Sequence, residues 1–112
     1  MAKVTTVNLE AGWPTVDVAM RRLTDALITH RRVGGRALVV IHGYGSTGQG
    51  GRIKQALSAA LSSPAIAPMV RTAAGGTQWP YRKRELLGIC SELSQYDRQI
   101  ANNEGVTVVI LK

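Results

Sequence analysis

The residues best suited to chemistry lie between Ala37 and Gly51, in the stretch ALVVIHGYGSTGQGG. One imidazole, His42, follows five apolar residues, and glycines at 43, 45, 48, 50 and 51 follow it. Arg52 and Lys54 come next, at the start of a helical pattern. A glycine-rich turn between a buried strand and a helix lets backbone N–H groups approach an anion, and the helix N-terminus adds its positive pole. His42 could donate a hydrogen bond there or move a proton near neutral pH. Glu10 ends the first apolar segment, so parallel pairing of the first two strands would place it beside His42 and let it orient the ring or hold a cation.

Three glycine-loop designs can be tested against these residues. A phosphate-binding P-loop needs Lys then Ser or Thr after its last glycine, and here Gly50 is followed by Gly51 and Arg52. The dinucleotide fingerprint is formally present as Gly43-Tyr44-Gly45-Ser46-Thr47-Gly48, but no acidic residue follows before Glu85. An α/β-hydrolase would need the nucleophile elbow G-x-S-x-G, which is absent.

The elements that must hold these residues follow from periodicity. Val4 to Leu9 and Arg36 to Ile41 read as strands, with Met69 to Ala73 and Val106 to Leu111 completing a set of four. A first helix opens at Pro14 with Thr15 as its N-cap and stops at Gly34-Gly35. A second runs from about Arg52 to Leu61, and a long third occupies the segment from Trp79 to Asn102, with Leu86, Ile89, Leu93, Tyr96 and Ile100 as its apolar face. The order β-α-β-α-β-α-β implies an α/β fold with a mixed, mainly parallel four-stranded sheet. Residues 1–112 read as a single domain.

Composition narrows the function. The 45% hydrophobic and 19% charged content are those of a folded globular chain, and no apolar run approaches the roughly 20 residues of a membrane span. The amino-terminal residues lack the pattern of a signal peptide, so the expected location is cytoplasmic, away from membranes. The lone Cys90 excludes an internal disulfide or a cysteine-built zinc site, and its neighbours mark it as a core residue. The net charge is +7, and from Ala26 to Arg84 there are nine Lys and Arg residues and no acid. A basic block around the glycine loop points to a polyanion, DNA or RNA, bound through its phosphates. Gly43 to Gly48, Gly50 and Gly51 would seat one phosphate, with Arg52, Lys54, Arg36 and Arg71 tracking its neighbours. Tyr44 and Trp79 are candidates to stack on unpaired bases.

The segment VVIHGYGSTGQGGRIKQAL resembles the signature of the Smr (small MutS-related) domain, in which a strand ends in His-Gly-x-Gly and a helix opens with a basic residue. His42, Gly43 and Gly45 match directly, and Arg52 and Lys54 take the places of the basic residues. The resemblance implies a two-layer α/β sandwich similar to the C-terminal domain of bacterial translation initiation factor three. It also implies binding of DNA or RNA, often branched or structured, with endonuclease or nicking activity in several members. His42 and Glu10 would then be the catalytic candidates, and a divalent cation the candidate cofactor. Two features depart from the pattern. Where the family commonly has Leu-Asp-Leu-His-Gly, this chain reads Val7-Asn8-Leu9-Glu10-Ala11-Gly12, and residues 79–102 look like a helical insertion before the last strand. The first departure places binding ahead of cutting. A protein-interaction module, or an enzyme for a small phosphate ligand, are the competing functions.

Overall fold

The computed structural model describes residues 3–43 and 49–112. Four short β-branched segments form one sheet: β1 (Val4–Asn8), β2 (Ala37–Ile41), β3 (Val70–Gly75) and β4 (Val106–Leu111). They lie in the order β1-β2-β4-β3. β1 and β2 are parallel, with Val4 opposite Ala37 and Asn8 opposite Ile41. β4 runs antiparallel to both its neighbours, β2 and β3. Three strands therefore share a direction, as expected of a mainly parallel sheet. The insertion of β4 between β2 and β3 nevertheless makes two of the three pairings antiparallel.

Side chains alternate between the faces of a strand, and β2 shows both faces covered. Leu38 and Val40 pack with Leu23 and Leu27 of α1 (Val16–Arg32) and with Ile53 and Leu57 of α2 (Gln49–Leu61). Sheet, α1 and α2 make the two-layer sandwich. Ala37 and Val39 look the other way, onto Trp79, Leu86, Leu93 and Ile100. Residues 79–100 thus form an additional cover over the second face.

That cover is not the single long helix its apolar spacing suggests. α3 (Trp79–Ile89) stops at Cys90, whose backbone is extended (φ −142°, ψ 94°). A 3-10 helix (Ser91–Tyr96) and α4 (Asp97–Ile100) follow. Gly88, Cys90 and Ser91 are weak helix formers, and a straight helix would carry Leu93 and Ile100 beyond a sheet only five or six residues deep. The broken path returns both to the core, where they are fully buried.

α1 is capped by Thr15, whose hydroxyl accepts the amide of Val18, with Asp17 in the first turn and His30, Arg31 and Arg32 in the last. Asp17, Arg31 and Arg32 each complement the helix dipole. No helix among the described residues is long and apolar enough to cross a membrane. Cys90 is buried, which pushes its thiol pKa up and leaves it inert.

Candidate functional site

His42 leaves the carboxyl end of β2 with its side chain fully buried. Its Nδ1 lies 3.0 Å from the carbonyl of Gly43 and its Nε2 2.9 Å from Thr107 Oγ1 on β4. A carbonyl can only accept, so Nδ1 carries the proton and Nε2 accepts from the Thr107 hydroxyl. Burial is the main reason that the His42 pKa is lowered; the Gly43 hydrogen bond opposes it, the charge of Lys54 reinforces it and that of Glu10 opposes it. The ring is a neutral imidazole with both nitrogens engaged.

The backbone here is equally committed. The amides of His42 and Gly43 both donate to the carbonyl of Gly105, at 2.8 and 3.1 Å, and Gly105 N–H donates to Asn103 Oδ1 at 2.9 Å. The Gly43 amide is therefore not open to a phosphate. Its glycine serves geometry instead: φ is +81°, and a β-carbon would overlap the Glu10 carboxylate.

Parallel pairing does bring Glu10 to this corner, since Leu9 N–H donates to the carbonyl of Ile41 at 2.8 Å. Glu10 lies against Gly43 and makes no hydrogen bond to His42, whose nitrogens are already used. Orientation of the ring falls to Thr107 and Gly43 rather than to Glu10. Asn8 stabilises the preceding turn, its Oδ1 accepting the amides of Glu10 and Ala11 at 3.0 and 3.1 Å. Among the described residues, no three His, Cys, Asp or Glu side chains converge as a metal site would require.

Arg52 and Lys54 occupy the exposed start of α2 beside this corner. α2 begins at Gln49, so Gly50 and Gly51 belong to its first turn and not to the loop before it. Their amides count among the first-turn N–H groups that have no acceptor within the helix. Tyr44, Gly45, Ser46, Thr47 and Gly48 lie outside the described residues. Arg36 and Arg71 do not join the site. Arg36 precedes β2 and Arg71 is the second residue of β3, and both strands run toward the His42 corner, so both cations sit at the far end of the sheet, Arg36 about 20 Å from His42 along the strand. Trp79 is fully buried, its indole N–H donating to Asp97 Oδ1 at 2.8 Å, and offers no stacking face.

Two aromatic residues outside these expectations are exposed at this end. Trp13 is 80% exposed in the turn between β1 and α1, and it holds a left-handed backbone (φ 54°) that a large side chain rarely adopts. Tyr81 is 90% exposed at the start of α3. The sequence signal for Trp13 is its setting, Gly12-Trp13-Pro14, a turn in which neither flanking element can bury an indole. A cleft of about 340 Å³ adjoins the corner, lined by Lys54, Ser58, Thr77, Gln78 and Thr107 among others.

The architecture is similar to a solved structure, the Smr domain of Thermus thermophilus MutS2. The TM-score is 0.60 at 24% identity, covering 96% of this chain and 98% of that chain. The fold is that of an Smr domain. No protein-family model matches the sequence, and no curated protein matches it. In the fold seen here, the strand ending in His-Gly lies beside the parallel first strand, and Thr107 of the last strand, with Gly105 just before it, locks the histidine in place.

Proposed function

We propose that this Smr-fold domain binds nucleic acid through the corner where β2 runs into α2. The observation that carries the reading is the placement of Arg52 and Lys54. Both are exposed, neither forms an ion pair among the described residues, and both stand at the start of the helix that follows the His42-Gly43 turn. Cations in this state release bound counterions from a phosphate backbone when they engage it, which is the main source of sequence-independent affinity. The positive ends of α1 and α2 face the same side, and Trp13 supplies an indole face for an unpaired base.

The geometry of His42 supports a positioning role over proton transfer. A general base must reach the proton it removes, and this ring is buried with both nitrogens spent. Leu86 of α3 and Leu93 of the 3-10 helix after it are both buried, so the apolar face a protein-docking module would use is turned into the core. The cleft beside Lys54, where Ser58, Thr77, Gln78 and Thr107 offer polar groups among apolar ones, favours a second reading, a small phosphate ligand seated between α2 and the end of β3.

The test is fluorescence anisotropy with a labelled duplex, a labelled single strand and a branched junction over a salt series. The double variant Arg52→Ala, Lys54→Ala is expected to weaken binding at least several-fold and to reduce the slope of log affinity against log salt by about two. Equal affinity and slope for wild type and variant would remove this corner as the phosphate site. Competition by inorganic phosphate or a mononucleotide at millimolar levels would favour the small-ligand reading.

A further inference from the structure

The opposite end of the sheet carries a denser set of cations. Parallel and antiparallel pairing together place one basic residue of each strand's outer end in a single row. Lys3 precedes β1, and its carbonyl accepts the amides of Arg36 and Ala37 at 2.8 and 3.0 Å. Arg36 precedes β2, and its carbonyl accepts the amide of Leu111 at 2.9 Å. Lys112 follows β4 and donates its amide to Met69 at 3.0 Å, two residues before Arg71. Arg71 sits where β3 departs from regular register, between Val70 and Thr72, and such irregularities re-aim a side chain. The carboxyl end of α1 adds Arg31 and Arg32 to the same side.

All six of these residues are exposed. Arg32, Arg36 and Arg71 make no side-chain hydrogen bond or ion pair among the described residues, and Arg31 makes a single long contact to the carbonyl of Lys112 at 3.4 Å. Two acids approach this end. Glu92 lies beside Lys3 and Arg36. Glu85 lies near Arg71, but its carboxylate is already held by Arg82 at 3.0 Å, which keeps its pKa low. The His42 corner, by contrast, faces Arg52 and Lys54 with Glu10, Asp17 and Glu104 on the elements around it. The charge surplus of the molecule is therefore concentrated away from the corner.

We infer that this row is a second contact surface for a nucleic-acid phosphate backbone. Three strand spacings make it about 14 Å wide, comparable with the roughly 12 Å of a major groove, so the row reaches phosphates on both sides of one groove. Behind it, a cavity of about 470 Å³ lined by Ile28, Arg31, Arg32, Met69 and Lys112 has room for a phosphate group between the end of α1 and the sheet. The sheet fixes the spacing of the cations along the row, which suits backbone contact without base readout. A chain with a cationic site at each end can touch two segments of one folded nucleic acid.

The experiment compares wild type with the triple variant Arg32→Gln, Arg36→Gln, Arg71→Gln and with each single variant, using the labelled duplex over a salt series. The triple variant is expected to bind more weakly and to lower the salt slope by two to three, with a melting temperature no lower than that of wild type. The effect should persist when Arg52 and Lys54 are also replaced. An unchanged slope in the triple variant and in all three single variants overturns the inference and leaves the corner site untouched. A slope that falls in this variant but not on replacing Arg52 and Lys54 keeps the inference and removes the corner. Wild type that ignores the duplex but binds vesicles of anionic lipid, in a manner lost in the triple variant, overturns it in favour of a membrane surface.

Discussion

At the scale of the residue, His42 shows how one side chain serves as a fastener. Its neutral ring joins the end of β2 to β4 through Thr107 and closes its own turn through Gly43. Because the folded protein holds the His42 pKa below its ordinary value of 6.5, the unfolded chain binds the extra proton as pH falls past that value. The stabilisation from His42 is thus complete above about pH 6.5 and is lost progressively below it. His42→Ala should cost about 2–3 kcal/mol in urea unfolding at pH 7.5, from the cavity and the orphaned Thr107 hydroxyl. The gap between wild type and variant should narrow as pH is lowered toward 5, because only the wild type loses this term. A variant with wild-type stability at every pH would return the residue to the catalytic candidates. The pairing of strands that places Glu10 near His42 was legible in the sequence. The occupation of both ring nitrogens was not, since Thr107 lies 65 residues away and a hydroxyl in a strand gives no sign of its partner.

At the scale of the element, apolar spacing located every strand and the first two helices but misjudged the third. Leu86, Leu93 and Ile100 do face one core, as their near-heptad spacing implies. What spacing could not express is that the sheet is too short for a straight helix of that length, so the chain folds back at Cys90 and trades α-helical hydrogen bonds for 3-10 ones. Arg82 ties this cover to the sheet edge, donating to the carbonyl of Ala73 at 2.9 Å and to Thr72 Oγ1 at 3.0 Å. This leaves one residue of the Arg82-Lys83-Arg84 triplet protecting an edge strand, a second paired with Asp97 at 2.9 Å, and Arg84 exposed. Leu86→Ala, at a fully buried position between α3 and the sheet, should destabilise by about 2–5 kcal/mol. It should leave oligonucleotide affinity unchanged at temperatures where the variant stays folded, because α3 packs away from α2. Equal losses of stability and of affinity in this variant would tie the cover to binding.

At the scale of the whole molecule, net charge alone misdirected the reading of the site. The acid-free run from Ala26 to Arg84 surrounds the glycine loop in sequence, yet the topology sends its members to opposite ends of the sheet. Strand direction decides which: residues at the start of β2 and β3 go to one end, and those following β2 go to the other. A row of like charges held about 5 Å apart by strand spacing repels itself, and nothing in the free protein offsets most of that repulsion. The free fold should therefore be less stable than its core alone would make it. Raising sodium chloride screens the row, so the melting temperature of wild type should climb by a few degrees between low and moderate salt. Arg36→Gln with Arg71→Gln should raise the melting temperature at low salt and shrink its salt dependence, whereas Arg52→Ala with Lys54→Ala, set among acids, should change neither. Calorimetry at two salt concentrations separates these outcomes. A row whose neutralisation destabilised the free protein would instead be held by contacts within the fold, and its cations would not be free to meet a phosphate.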